Sequence, residues 1–184
     1  MTRAVAPDGG ARSRRHRSVA FLARFAAFLV LFYALLAARP VDRAVVVPFT
    51  AVVARAGAAL LSAAGERVAV EGTEIRSPAF AVRIENGCNG LETVLLFAAA
   101  VAAYPASWRR RAVGLLAGFA AIQAFNLVRV VSLFWIGAHR ADLFAPSHTV
   151  VWQSLVVLFG ILLFVVWAAR VPLAGAPSPR ARAS

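Results

Sequence analysis

The sequence predicts a mainly α-helical, polytopic integral membrane protein with about four transmembrane helices, an interfacial helix and a small extracytoplasmic β segment. Three observations predict it. Of 184 residues, 61% are hydrophobic and the mean hydropathy is +0.74, too apolar for one soluble domain. Several apolar stretches approach the roughly 20 residues that cross a hydrocarbon core about 30 Å thick. The net charge of +12 comes from 20 arginines and no lysine, and these cluster at the ends of the apolar stretches. Such clustering marks membrane topology rather than nucleic acid binding, so membrane lipid is the expected partner and nucleic acid is not. A lone cysteine excludes an intramolecular disulfide and a cysteine zinc site, and three histidines (His16, His139, His148) give little support to a histidine site. Neither a metal nor another cofactor is expected.

In chain order, residues 1–18 are polar and arginine-rich and are expected to form a disordered cytoplasmic arm. Residues 19–170 are expected to form a single membrane-embedded domain. Val19 to Ala38 carries one charge, Arg24, and is long enough for a retained anchor rather than a cleaved signal peptide. Ala44 to Ala64 is ambiguous, with Pro48 near its start and Arg55 in its middle. Ala51, Arg55, Ala58 and Ser62 share one helical face, which suits a helix lying in the interface. Charge favours the same assignment. If this segment does not span, eleven arginines fall inside with one acid, Asp8, and seven arginines fall outside with six acids. That is the asymmetry the positive-inside rule prefers.

Glu66 to Glu85 alternates as strands do. Val68 and Val70 alternate with polar neighbours, Glu71-Gly72-Thr73 reads as a turn, and Phe80, Val82 and Ile84 follow at every second position. A hairpin or three-stranded piece outside the membrane is expected. Leu91 to about Ser107 then crosses inward to Arg109-Arg110-Arg111. Ala112 to Ala138 crosses back with Gln123, Asn126, Arg129 and Ser132. An outer loop, His139 to Ser147, precedes the last span, His148 to Ala169, and residues 171–184 form a disordered cytoplasmic tail.

Three residues bear chemistry. Cys88, in Asn86-Gly87-Cys88-Asn89-Gly90-Leu91-Glu92, precedes a helix start that Asn89 or Asn86 can cap. The helix end there favours the thiolate, whereas an inert buried thiol is the plainer alternative. Arg129 lies inside an apolar helix, where an arginine costs about 2.5–3.5 kcal/mol unless it faces a polar group or snorkels to the interface. Gln123 and Asn126 form a polar strip with it. His148 begins the last span and can shuttle a proton, although a helix-boundary polar role is the alternative and His139 competes as base. One topology brings all three near the same leaflet. A nucleophile, a base and a guanidinium are what acyl transfer through a thioester requires.

Asn-Gly-Cys-Asn-Gly-Leu-Glu, then Asn126-Leu-Val-Arg129-Val-Val-Ser, then Ser147-His148-Thr-Val-Val-Trp-Gln resembles the exosortase/archaeosortase family over Pro40 to Trp167. The chain looks most like the short bacterial exosortase H subgroup. The commoner pattern has serine where this chain has Asn89, and larger members have more spans. The resemblance implies a cysteine transpeptidase of the bacterial inner membrane with its active site on the periplasmic side. Its partners would be exported proteins ending in a motif of the Ile-Pro-Thr-Leu type, a membrane helix and a basic tail. It places the catalytic residues at Cys88, Arg129 and His148. Beside them, Asn126 and the backbone amides around Asn89 and Gly90 are the expected supporting groups, on the residues' own chemistry. Two other classes compete: a non-catalytic membrane scaffold or assembly subunit, and a small transporter whose Arg129 binds an anion. Only the enzyme needs the sulfur.

Overall fold

A computed structural model describes the backbone of residues 9–171 and side-chain surroundings from residue 15 onward. The expected tail beyond Val171 and the arm up to Asp8 lie outside the described residues. Helices run in the order α1 Gly9–Ala37, α2 Arg39–Val41, α3 Val47–Ala63, α4 Leu91–Ala103, α5 Trp108–His139, α6 Ala141–Pro146 and α7 Gln153–Arg170. Wider π-helical turns over Asp42–Val46 and Ser147–Trp152 join α2 to α3 and α6 to α7. Between α3 and α4 lie strands β1 Ala69–Glu71, β2 Glu74–Arg76 and β3 Ala81–Arg83.

The strands form the expected antiparallel sheet, ordered β1-β2-β3, with Val70 opposite Ile75 and Ile75 opposite Val82. Alternation puts these three side chains on one face, and Ile75 is completely buried against α3. Gly72 makes the tight turn at φ +61°. On the exposed face Arg83 and Arg76 bond to the Glu74 carboxylate and hold it below the usual carboxylate range.

Among the described residues, four helical runs are long and apolar enough to cross a membrane: Arg15–Ala37, Arg39–Ala63, Trp108–His139 and Ala141–Arg170. The expected count of four therefore stands, but the set differs. Arg39–Ala63 joins it, because the helical backbone continues through the wide turn at Asp42–Val46 and past Pro48. Leu91–Ala103 is a shorter apolar helix, about 20 Å long at 1.5 Å per residue. Two further expectations change. α1 reaches back to Gly9, into the stretch expected to be disordered. The expected outer loop is helical from Ala141, with only Arg140 breaking the run. Pro146 then removes a backbone donor inside that run, and the wide turn from Ser147 follows directly.

Short α4 is the centre of the bundle and packs against α1, α5 and α7. Glycines on its neighbours make room for it: Gly118 of α5 receives the Phe97 ring, and Gly160 of α7 receives Thr93. Small residues that let helices approach closely are the usual device where lipid supplies no hydrophobic drive. α3 stands apart from this bundle. It packs on α5 and beneath the sheet, and none of its Cα atoms lies within 8 Å of α4 or α7. Phe49 meets Phe119 and Gly57 meets Val130, so α3 runs alongside α5 in the same direction. Its buried face is Thr50, Val53, Ala54, Gly57, Ala58 and Leu61, with Arg55 exposed. Ala58, expected beside Arg55, is thus on the packed face.

Candidate active site

The turn before α4 is built to present a side chain. The Cys88 N–H donates to the Glu85 carbonyl at 2.9 Å, and Gly87 and Gly90 both adopt positive φ, +87° and +77°. Non-glycine residues pay about 1–2 kcal/mol in that conformation. Asn89, 1% exposed, pins the turn twice. Its Oδ1 accepts from the Leu91 N–H at 2.9 Å, and its Nδ2 donates to Thr50 Oγ1 at 2.9 Å. The N-cap position of α4 is Gly90, and of the two asparagines it is Asn89, one residue before it, that meets the first helical N–H. Asn86 instead donates to Asp42 Oδ1 at 3.3 Å.

Cys88 Sγ lies 2.7 Å from His148 Nε2 and 3.6 Å from Arg129 Nη2. Three residues from separate parts of the chain thus meet in one place. His148 sits in the π-helical turn before α7, and its ring stacks on Phe144 with centroids 5.8 Å apart and planes 8° from parallel. Phe144 packs edge-on against Phe80, which packs on Phe134, so the loop before β3 braces the histidine. His139 is elsewhere: it is exposed, stacks on Trp135 and bonds to the Trp135 carbonyl.

Arg129 is 1% exposed, and its Nη1 donates to the Gly87 carbonyl at 3.2 Å. One guanidinium therefore touches both the sulfur and the backbone just before it. Asn126, fully buried, lies one turn along α5 from Arg129, and with Gln123 it backs directly onto Gly90. A Cβ at position 90 would stand 2.9 Å from Asn126 Cγ and 3.0 Å from Gln123 Nε2. Among the described residues, both polar atoms of Gln123 and of Asn126, and Arg129 Nε, are buried without a hydrogen-bond partner. Each such atom costs about 1–3 kcal/mol. The strip therefore holds unused hydrogen-bonding capacity beneath the cysteine turn.

Burial pushes the Cys88 thiol above its ordinary value, and the Arg129 charge, with the backbone N–H, offsets only part of that. Burial thus opposes the thiolate expected from the helix end. The imidazole nitrogen places a candidate proton acceptor 2.7 Å from the sulfur. Thr50, Phe144, Gln123 and Glu85 all support this arrangement but are not among the expected site residues. Thr50 could have been suspected as an isolated hydroxyl early in an apolar helix, and Phe144 as an aromatic four residues before His148. No group of three or more metal-ligating side chains occurs among the described residues.

No curated protein and no solved structure matches this chain. A family model described as transmembrane exosortase (Exosortase_EpsH) does match it, over residues 13–171. That range takes in the cysteine turn, the arginine helix and the histidine turn together with the bundle that holds them, and the chain belongs to the transmembrane exosortase family.

Proposed function

We propose that this protein is a membrane-embedded cysteine transpeptidase. It cleaves the C-terminal sorting signal of exported proteins, holds the protein as a thioester on Cys88 and passes it to an acceptor. The observation that carries this reading is the contact of Cys88 Sγ with both His148 Nε2 and Arg129 Nη2. With its proton on Nδ1, His148 accepts the thiol proton at Nε2 as the sulfur attacks the scissile carbonyl. Arg129 donates to the oxyanion that forms, and His148 returns the proton to the leaving amine. The C–N bond breaks, and the exported part remains attached through its new C–S bond.

This reading also sets a topology. The cleft bounded by Tyr33, Ala37, Val46 and Asn89 brings the end of α1, the start of α3 and the cysteine turn to one end of the bundle. α3 and the sheet then form an excursion that leaves from and returns to that end, and α4 with residues 104–107 makes the inward crossing. Cys88 faces the periplasm from the inner membrane. The carboxy-terminal signal of a substrate would be a short motif, a membrane helix and a basic tail.

The test is processing of a reporter ending in such a signal, with the acyl adduct on Cys88 read by intact mass. Cys88→Ala and Cys88→Ser should insert and accumulate normally yet lose processing and adduct, since a serine hydroxyl is a far poorer nucleophile here. Substantial processing by Cys88→Ala would rule out the thioester. It would favour a scaffold or an anion carrier, neither of which needs the sulfur.

A further inference from the structure

The cysteine turn borders a mostly apolar cleft, walled in part by Leu36 and Leu91, that the Cys88, Arg129 and His148 group does not line. Its volume is about 210 Å³, and its walls include Tyr33, Ala37, Val46, Asn86, Gly87 and Glu92. Drug-sized sites run to about 300–1,000 Å³, so the occupant is a small group or the end of a longer molecule. Glu92 is the only charged residue in the wall. Both its carboxylate oxygens stand 3.9 Å from where a Cβ on Gly87 would lie, next to the nucleophile. None of the ion pairs among the described residues includes it. The other amides in the wall are committed: Asn86 to Asp42, and Asn89 to Thr50 and Leu91. The start of α4 favours a negative charge at Glu92. A compact ammonium, with three donors and no acceptor, complements such a wall.

We propose that this cleft receives the ammonium end of the acceptor, a primary amine, and that Glu92 binds it there. The inference rests on the thioester reading above. The bound ammonium gives one proton to the Glu92 carboxylate. The freed nitrogen lone pair then attacks the thioester carbonyl carbon, and an amide C–N bond forms as the C–S bond breaks. The sulfur leaves with the bonding pair, and the second amine proton passes to His148, which returns it to Cys88.

The test uses the full-length protein in lipid vesicles, acylated by p-nitrophenyl acetate so that no sorting signal is required. The acyl-enzyme is partitioned among water, hydroxylamine (a neutral nucleophile near pH 7.5) and glycinamide (largely an ammonium there). Glu92→Gln should form the acyl adduct at the normal rate and react normally with water and hydroxylamine. Its transfer to glycinamide should fall about 10- to 100-fold, the loss expected for a hydrogen bond to a charged group. Glu92→Asp, which keeps the charge, should recover part of that transfer. Normal adduct formation with unchanged glycinamide transfer in Glu92→Gln would overturn the acceptor site alone. Failure of the unmodified protein to form any Cys88 adduct would overturn the thioester reading and the acceptor site with it.

Discussion

At Cys88 two effects oppose each other, and their balance sets how the thiol behaves. Burial disfavours the charged thiolate, while Arg129 favours it, and burial is the larger. A raised pKa means a smaller thiolate fraction at any given pH. Iodoacetamide alkylation of Cys88 should therefore be slow at neutral pH and keep climbing beyond about 8.5, where a free thiol begins to level off. Arg129→Gln should alkylate more slowly than the unmodified protein at the same pH. Levelling at or below the free-thiol value, followed by intact mass, would contradict this. Arg129 itself separates charge from geometry. Lysine keeps the charge but loses the planar fork that reaches the Gly87 carbonyl and the sulfur together. Arg129→Lys should accumulate normally and lose about 10²–10³-fold in processing, the usual loss of one oxyanion donor. Near-normal processing at normal abundance would remove Arg129 from the catalytic group and turn attention to Asn126.

At the scale of elements, short α4 is held between α1, α5 and α7. Its place depends on hollows rather than on its own amphipathicity, since glycines in α5 and α7 receive its side chains. A side chain at Gly118 would have to displace the Phe97 ring from the cluster it forms with Val101 and Ile122. Overpacking of this kind costs about 1–3 kcal/mol. Gly118→Val should lower the thermal aggregation midpoint in detergent, whereas Ala120→Val, on the exposed side of the same helix, should leave it nearly unchanged. Equal effects at the two positions would show that helix propensity, not the hollow, governs the result. The π-helical turn at Ser147–Trp152 is the second element with a clear consequence. It widens the helix where His148 must face Cys88, a use such turns often have.

For the whole molecule, the decisive question is which helices cross. Arg39–Ala63 has the length and apolarity to do so, but its packing keeps it on α5 and the sheet. If it is an excursion, Thr73 lies outside and Ser178 inside. Single cysteines at these positions in a Cys88→Ala background should label with an impermeant maleimide from the periplasmic side for residue 73 only. Labelling of residue 73 from the cytoplasmic side alone would overturn both the topology and the side on which the site is placed.

Sequence by itself determined the class of the fold and the strand alternation, and it singled out the three polar residues that the fold brings together. These follow from local physics: hydropathy over a fixed length, a period of two, and polar groups whose burial in lipid is costly. It also offered Asn89 and Asn86 as groups to meet the start of α4, and the fold uses Asn89 for the first helical N–H. Only the tertiary structure decided what depends on distant parts of the chain meeting. The burial that raises the Cys88 thiol pKa comes from the packed fold and opposes what the nearby helix end alone would favour. His148 meets Cys88, whereas His139, at the end of α5 before α6, stacks on Trp135. Length alone would rank α4 below α3 as a membrane helix, yet packing put α4 at the centre, because glycines far away in sequence opened the space. A side chain's type is local, but its surroundings are supplied by the rest of the fold.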